Sequence, residues 1–261
     1  MQVSIHNLSR EVIFLKEPVF YAAGNTAALQ FAKKNLQQKG CCFADTPNAS
    51  VTHLLLDVPA FAPDGTLRDG GKIEPILSCL SPNIKIYGGF LSKGPLEGYD
   101  KTDLLEDAGY VAENARITAY CAAGLAAENL PVTLYECPAL VIGWGRIGKC
   151  LARLLQTMGA RVSVYARKEK DQAMLSALGY DLGDLSYGLC RYRVIFNTVP
   201  FMVLPKENAQ YCREDCLKIE LASTPGIEAD DVLPGNGLPN KYAPESSGEL
   251  IARTILRLKG V

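Results

Sequence analysis

Leu140-Val141-Ile142-Gly143-Trp144-Gly145-Arg146-Ile147-Gly148 decides the reading of this chain. A short apolar run ends in Gly-x-Gly-x-x-Gly, and an amphipathic pattern follows at once. Cys150, Leu151, Leu154, Leu155 and Met158 recur at helical spacing, and Gly159 stands where a helix is expected to stop. A second apolar run, Arg161-Val162-Ser163-Val164-Tyr165, comes next. Strand, glycine turn, helix and strand in this order form a dinucleotide-binding unit. Gly143 permits the tight turn, Gly145 lets backbone approach a pyrophosphate, and Gly148 lets the helix pack close to the strand. The helix start then offers free N–H groups and partial positive charge to phosphates.

The second strand ends at Tyr165-Ala166-Arg167-Lys168. A site for NAD normally has a carboxylate here for the ribose diol, about 20 residues past the glycines. This chain has Ala166 at that place, with Arg167 and Lys168 beside it. A missing carboxylate next to an arginine suits a 2′-phosphate, so the reading leans to NADP, with NAD left open. A further strand, Tyr192 to Pro200, has a polar end. Cys216 to Ala222 is the next, with Ser223-Thr224-Pro225-Gly226 as its loop. The expected cofactor-binding residues are Gly143, Trp144, Gly145, Arg146, Ile147, Gly148, Ala166, Arg167, Lys168, Asn197, Thr198, Val199, Pro200 and Ser223. Thr133-Leu134-Tyr135 is expected to pair beside the first core strand, and Asn236-Gly237-Leu238-Pro239 to precede a sixth short element. Ser246-x-x-Glu249 reads as a capping box opening a last helix.

The first part of the chain also alternates strands and helices. Pro18 to Gly24 reads as a strand entering a glycine turn, and Asn25 or Thr26 as a helix cap. Ala28, Leu29, Ala32 and Leu36 follow at helical spacing. Cys41 to Ala44, His53 to Pro59 and Ile84 to Phe90 are further strands, Lys72 to Leu80 a short helix and Lys93 to Lys101 a loop. Val12-Ile13-Phe14-Leu15 suggests an edge strand or hairpin. Alternation of this kind argues for parallel sheets. A small-residue helix from Glu113 to Asn129 connects the halves. The expected architecture is α/β: a smaller, flavodoxin-like N-terminal domain over residues 1–112 and a Rossmann domain, connector included, over 113–261. His53, at the start of its strand, reads as structural. Asp57, at the end of the same strand, is an acid or a cap. Arg116 on the connector reads as a solvated first-turn residue or a structural ion-pair partner slightly more readily than as a ligand for a substrate carboxylate.

Composition narrows the class. With 48% hydrophobic and 21% charged residues the chain is an ordinary globular one, and its net charge of −1 argues against a broad basic face for nucleic acid. No apolar run reaches the length of a membrane span, and the start lacks the pattern of a signal peptide, so a cytoplasmic protein is expected. The nine cysteines lack metal-ligand spacing and read as reduced, mostly buried thiols, with no metal site. His6 and His53 are the only histidines.

From the connector onward, about half the chain resembles the family of the dipicolinate synthase A subunit, itself similar in build to the D-2-hydroxyacid dehydrogenases. The likeness is carried by Gly143 to Gly148, Asn197-Thr198-Val199-Pro200 and Leu221-Ala222-Ser223-Thr224-Pro225-Gly226. It continues through Gly237-Leu238-Pro239 and Ala243-Pro244-Glu245-Ser246-Ser247-Gly248. The chain departs from the family at Asn240, which replaces a glycine, and at Ser246 and Ser247 in a Thr-Ala-Gly segment. It departs again at Ile117 to Cys121, where only Thr118 keeps the connector motif. The resemblance implies oxidation of a dihydrodipicolinate-type ring to pyridine-2,6-dicarboxylate in a spore-forming bacterium. It also implies a flavoprotein-like second subunit; whether the chain forms a homo-oligomer is left open. Aromatisation makes hydride loss favourable, which suits a chain with no histidine after His53. The candidate catalytic residues are then Asn197, Ser223, Tyr242, Glu245 and Ser246. Tyr242, Glu245, Asp57 or solvent would take the proton, and Thr198 and Thr224 would complete the lining. Ser223, Thr224, Ser246 and Ser247, with backbone amides at the helix start, would suit the two carboxylates. The competing readings are a dehydrogenase of another small carboxylate and a non-catalytic dinucleotide-binding regulatory or scaffold subunit.

Overall fold

A computed structural model describes residues 18–259. The suggested edge strand over 12–15 lies outside the described residues. Two parallel sheets carry the fold. In the first, β1 (Val19–Ala23), β2 (Cys42–Phe43), β3 (His53–Leu56), β4 (Lys85–Gly88) and β5 (Asp100–Asp103) lie in the order β2-β1-β3-β4-β5. This is the flavodoxin-like order. In the second, β6 (Pro138–Ile142), β7 (Arg161–Tyr165), β8 (Asp181–Leu182), β9 (Val194–Asn197), β10 (Leu217–Glu220) and β11 (Val232–Pro234) lie in the order β11-β10-β9-β6-β7-β8. Read from β8, that is the Rossmann order, in which the chain reverses direction beside β6. The expected α/β architecture, a flavodoxin-like sheet and a Rossmann sheet, is the one observed.

Local chemistry explains most of the elements. Helix α1 (Ala27–Gln38) starts at Thr26, whose hydroxyl accepts the Leu29 N–H at 3.2 Å, and it buries Ala28, Leu29, Ala32 and Leu36. The short α2 (Glu74–Leu77) takes Pro75 in its first turn and is shorter than the apolar spacing over 72–80 suggests. The connector α3 (Ala108–Asn129) begins five residues earlier than its apolar pattern. The Asp107 carboxylate caps it by accepting the Tyr110 N–H at 2.7 Å. Helices α4 (Arg146–Thr157), α5 (Glu169–Ala177) and α6 (Lys206–Ala209) complete the crossovers of the second sheet.

Several expectations are corrected. Residues 100–103, read partly as loop, form the edge strand β5. Thr133-Leu134-Tyr135 is a turn: Leu134 plugs the core while Tyr135 stands exposed and Glu136 takes a φ of 55°. The strand β11 precedes Asn236, and a short helix α7 (Leu238–Tyr242) follows. The last helix, α8 (Pro244–Lys259), starts at Pro244, which suits a first turn. Ser246 and Glu249 therefore lie inside it and do not form its cap. Three of the nine free cysteines are buried, Cys121, Cys137 and Cys216, so the thiols are less buried than expected.

The two cores divide the chain by packing rather than by order. Ala119, Ala122, Ala123 and Ala126 of α3 pack with Val141, Leu151, Leu155 and Phe196 of the second sheet. Leu250, Ile251 and Ile255 of α8 instead join Phe20, Leu29, Leu36 and Leu55 of the first. A division of the chain at 112 assigns α8 to the second sheet; its apolar face is buried against the first. Each such side chain contributes about 1.5–3 kcal/mol on burial. Gly248 lets α1 and α8 approach, since a Cβ there would sit 2.6 Å from the Ala28 carbonyl oxygen.

Candidate functional site

The glycine turn joins β6 to α4. Gly143 has a φ of +107°, which L side chains rarely adopt, and a Cβ there would run into Thr198 Oγ1. A Cβ on Gly148 would run into the Gly143 carbonyl, so only glycine lets the helix sit this close. Gly145 differs: a side chain there would meet nothing within 4 Å. It is the N-cap of α4, and no side-chain oxygen caps the helix. The first N–H groups of α4 have no intrahelical partner, and Gly145 and Arg146 at this helix start are exposed. Such a start accepts a pyrophosphate through N–H donors and helix dipole.

Two cavities flank the turn. The larger, about 380 Å³, is lined on one side by Gly143, Trp144, Ala166, Arg167 and Lys168, and on the other by Val199, Phe201 and Met202. The Trp144 ring meets Tyr180 edge-on at 5.6 Å, with Lys149 Nζ 5.7 Å from its centre. The Arg167 guanidinium stands 5.8 Å from the Phe201 ring, across the mouth. Asp171, in the first turn of α5, lines the same cavity. Sequence reasoning passed over Asp171 because it lies beyond the strand end, inside the next helix. Phe201 and Met202 carried no motif either; both are half exposed.

The second cavity, about 230 Å³, lies between the two sheets. Val58, Pro59 and Leu105 come from the first half, and Tyr110, Asn114 and Thr118 from α3. Ile147, Leu221, Ser223, Asn236 and Asn240 close it from the second half. Its position at the carboxyl ends of the strands is where open α/β sheets bind ligands. Asn114, Asn236 and Asn240 were not among the expected site residues.

One buried carboxylate organises the loops between the cavities. Glu220 lies beside Asn197 in the parallel register of β9 and β10. It accepts the Asn197 amide at 2.8 and 3.1 Å and the backbone N–H groups of Ala222, Gly226 and Ile227 at 3.1, 2.7 and 3.2 Å. Asn197 also donates to the Val199 carbonyl at 3.0 Å and accepts the Val199 N–H at 2.9 Å. The side chain expected to face substrate is thus fully buried, with both amide atoms engaged. Asn197 is corrected from a reacting group to a brace, because its strand position points it at Glu220.

The other expected residues divide. Gly143, Trp144, Ala166, Arg167, Lys168 and Val199 meet at the larger cavity, and Ile147 and Ser223 at the smaller. Thr198 donates to the Ile142 carbonyl at 2.9 Å and supports the turn from below. Pro200, Thr224, Tyr242 and Glu245 line neither cavity. Ser246 lines a separate groove with Arg116, Tyr120 and Arg253, and Ser247 donates to the Ala243 carbonyl at 3.0 Å. Arg116 pairs with Glu113 at 2.6 Å and is largely exposed, which fits the solvated or ion-pair reading over a substrate ligand. Asp57 accepts from Asn25 N at 3.2 Å and from the Thr26 hydroxyl; burial pushes its carboxyl up despite those bonds. His53 lies at the opposite strand end, stacked between Phe20 and Tyr87.

Residues 114–218 match the family model of the D-isomer specific 2-hydroxyacid dehydrogenase NAD binding domain. The dipicolinate synthase A subunit of Bacillus subtilis (strain 168) is 27% identical over 145 residues; the match spans about half of each, 51% of this chain and 49% of the relative. The crystal structure of the dipicolinate synthase A chain from Bacillus subtilis superposes with a TM-score of 0.79 at 20% identity, covering 94% of this chain and 97% of that one. The corresponding dipicolinate synthase structure from Bacillus halodurans gives 0.78 at 20% identity, over 93% and 97%. Among the described residues no helix is long and apolar enough to cross a membrane. The glycine turn and its sheet thus match a nicotinamide-dinucleotide-binding domain, and over about half its length the chain is similar to the dipicolinate synthase A subunit.

Proposed function

We propose that the protein is an NAD(P)-dependent oxidoreductase that takes hydride from a small ring of the dihydrodipicolinate type, giving pyridine-2,6-dicarboxylate. The observation that carries this reading is the uncapped start of α4 at Gly145, open to solvent between two cavities. The turn fits a diphosphate: glycine where a side chain would clash, and N–H donors where charge must be met. In this reading the adenosine end lies in the 380 Å³ cavity and the nicotinamide end faces the 230 Å³ cleft. A bound dinucleotide supplies the hydride acceptor. Val58, Leu105 and Leu221 form an apolar wall that keeps bulk water from the reacting face. Asn197 and Glu220 hold the loops carrying Val199 and Ser223. Among the described residues no histidine lines the cleft, and the proton released on aromatisation passes to water at its mouth. Because the matched relative is one component of a larger synthase, we also propose a partner, flavoprotein-like as in the family.

The test incubates the protein with NADP or NAD and a dihydrodipicolinate-type ring, alone and with a second subunit, and follows the absorbance of reduced cofactor. Absence of signal in every mixture, with dinucleotide still bound, would leave dinucleotide binding without catalysis as the function. For cofactor choice, Arg167 and Lys168 favour a 2′-phosphate, and Asp171 is the one carboxylate lining that cavity among the described residues. Arg167→Ala should weaken NADP about tenfold, the loss of one charge-assisted contact, and leave NAD nearly unchanged. Equal losses would remove the preference for NADP.

A further inference from the structure

We infer that the cleft between the sheets recognises its ring substrate through neutral hydrogen-bond donors, without an ion pair, and that Asn114, Ser223, Asn236 and Asn240 form that subsite. The inference rests on the proposed ring oxidation and specifies how the ring is held. Among the described residues the cleft lining contains no charged side chain. Its polar members are amides and hydroxyls on elements held from both sides. Asn114 and Thr118 lie four apart on α3 and share a face, and the Thr118 hydroxyl is engaged with the Asn114 carbonyl at 2.8 Å. Asn236 and Asn240 bracket Gly237, whose φ of +71° starts α7, and Asn240 N donates to the Gly237 carbonyl at 3.1 Å. Gly235 N donates to the Glu220 carbonyl at 2.7 Å and ties this turn to β10. Ser223 follows the same strand, on the loop that the Glu220 carboxylate holds.

Three charged sites around the cleft are engaged elsewhere, while Arg146, next to the lining residue Ile147, is exposed at the start of α4. Asp57 faces Asn25 and Thr26, the Glu220 carboxylate is enclosed by four donors, and Arg116 and Arg253 share Glu113 outside the cleft. A ligand in the cleft therefore meets neutral amide and hydroxyl side chains, whose N–H and O–H groups can donate to it. The class that satisfies them is a small planar ring with acceptor oxygens on its edge, carboxylate or carboxamide. A site built from donors rejects a ring lacking acceptors far more strongly than it separates two rings that both carry them.

The experiment is a calorimetric titration of the protein saturated with NADP. Three ligands are compared: pyridine-2,6-dicarboxylate, pyridine-2,6-dicarboxamide and 2,6-dimethylpyridine, each at about 0.05 and 0.5 M salt. The dicarboxylate and dicarboxamide should bind within about tenfold of each other, with little change between the salts, and dimethylpyridine at least about a hundredfold more weakly. Asn236→Ala and Asn240→Ala should each weaken both oxygen-bearing ligands about tenfold and leave the dinucleotide affinity unchanged. A dicarboxylate bound more than about a hundredfold tighter than the dicarboxamide, with affinity falling steeply in salt, overturns the neutral subsite alone. Wild-type affinities in both asparagine variants overturn it as well. If none of the three rings binds to protein that does bind NADP, the ring reading fails and this inference with it.

Discussion

The two halves of the molecule contain the same device and use it differently. In each, a parallel strand ends in a glycine at positive φ, Gly24 at +143° and Gly143 at +107°, and a helix begins a few residues later. At the start of α1 the protein fills the space itself. Thr26 caps the helix, and the Asp57 carboxylate accepts from Asn25 N and the Thr26 hydroxyl. A Cβ on Gly24 would collide with that carboxylate. At the start of α4 neither feature is present: the cap is Gly145 and the space is open. A helix start is electrostatically ready for an anion in both places. Whether it becomes a strut or a ligand site depends on whether the chain supplies the anion.

The strongest way to break this comparison is to give α4 its own carboxylate. Gly145 has an extended backbone, and a side chain there meets nothing, so Gly145→Asp should fold and keep or slightly raise its thermal midpoint. Dinucleotide affinity should fall about a thousandfold, or about 4 kcal/mol, because the new charge occupies the place of the diphosphate. Trp144 is the single tryptophan and sits in the turn, so its fluorescence reports binding directly. An unchanged affinity would mean that phosphates do not bind at this helix start.

The next largest effect belongs to Glu220. Replacing it with glutamine turns an amide N–H₂ toward N–H donors that now point at a carboxylate. Glu220→Gln should cost about 3 kcal/mol in urea unfolding, in the range for removing one member of a buried charged network. It should also weaken the dinucleotide by about tenfold, because the loops carrying Val199 and Ser223 lose their common anchor. A stability loss with full affinity would show that these loops hold their shape unaided. Asp57→Ala tests the other helix start. It should cost about 2 kcal/mol through lost hydrogen bonds at α1 and leave dinucleotide affinity unchanged.

These residues also mark how far the sequence can be read. The turn at Gly143, the helix after it and β7 are legible because apolar periodicity and glycine position report local geometry. Thr26 is legible for the same reason, since a cap bonds three residues along its own chain. The partnership of Glu220 and Asn197 is not: it spans 23 residues and depends on the register of two parallel strands. Nor is β5, whose Asp100-Lys101-Thr102-Asp103 has no apolar alternation because it is an edge strand. The cleft drew Asn114 from a helix and Asn236 and Asn240 from a turn, residue types too common in such places to stand out. The serines of the 246–248 segment stood out by resemblance, but α8 holds them outside the cleft.

The smallest effect lies at the end of the first sheet away from any ligand. His53 is stacked on Phe20 at 4.8 Å and faces Tyr87 at 6.0 Å, with Thr52 Oγ1 2.8 Å from its Nδ1. Burial first, then Lys259 and Lys85, push its pKa down to about 4, while Asp100 pulls the other way. In the unfolded chain the ring titrates near its ordinary value of about 6.5. Between these values the unfolded state binds the proton that the folded state refuses. Stability is therefore complete above about pH 6.5, falls as pH drops toward 4, and stops changing on this account below that. Solvent at the half-buried ring reduces the effect to about 1 kcal/mol. His53→Gln should remove that slope from urea midpoints measured across this window, with dinucleotide affinity unchanged. A slope that survives the substitution would assign the acid sensitivity to other groups. A change in affinity would mean that the two ends of the first sheet are coupled, contrary to its role as a strut.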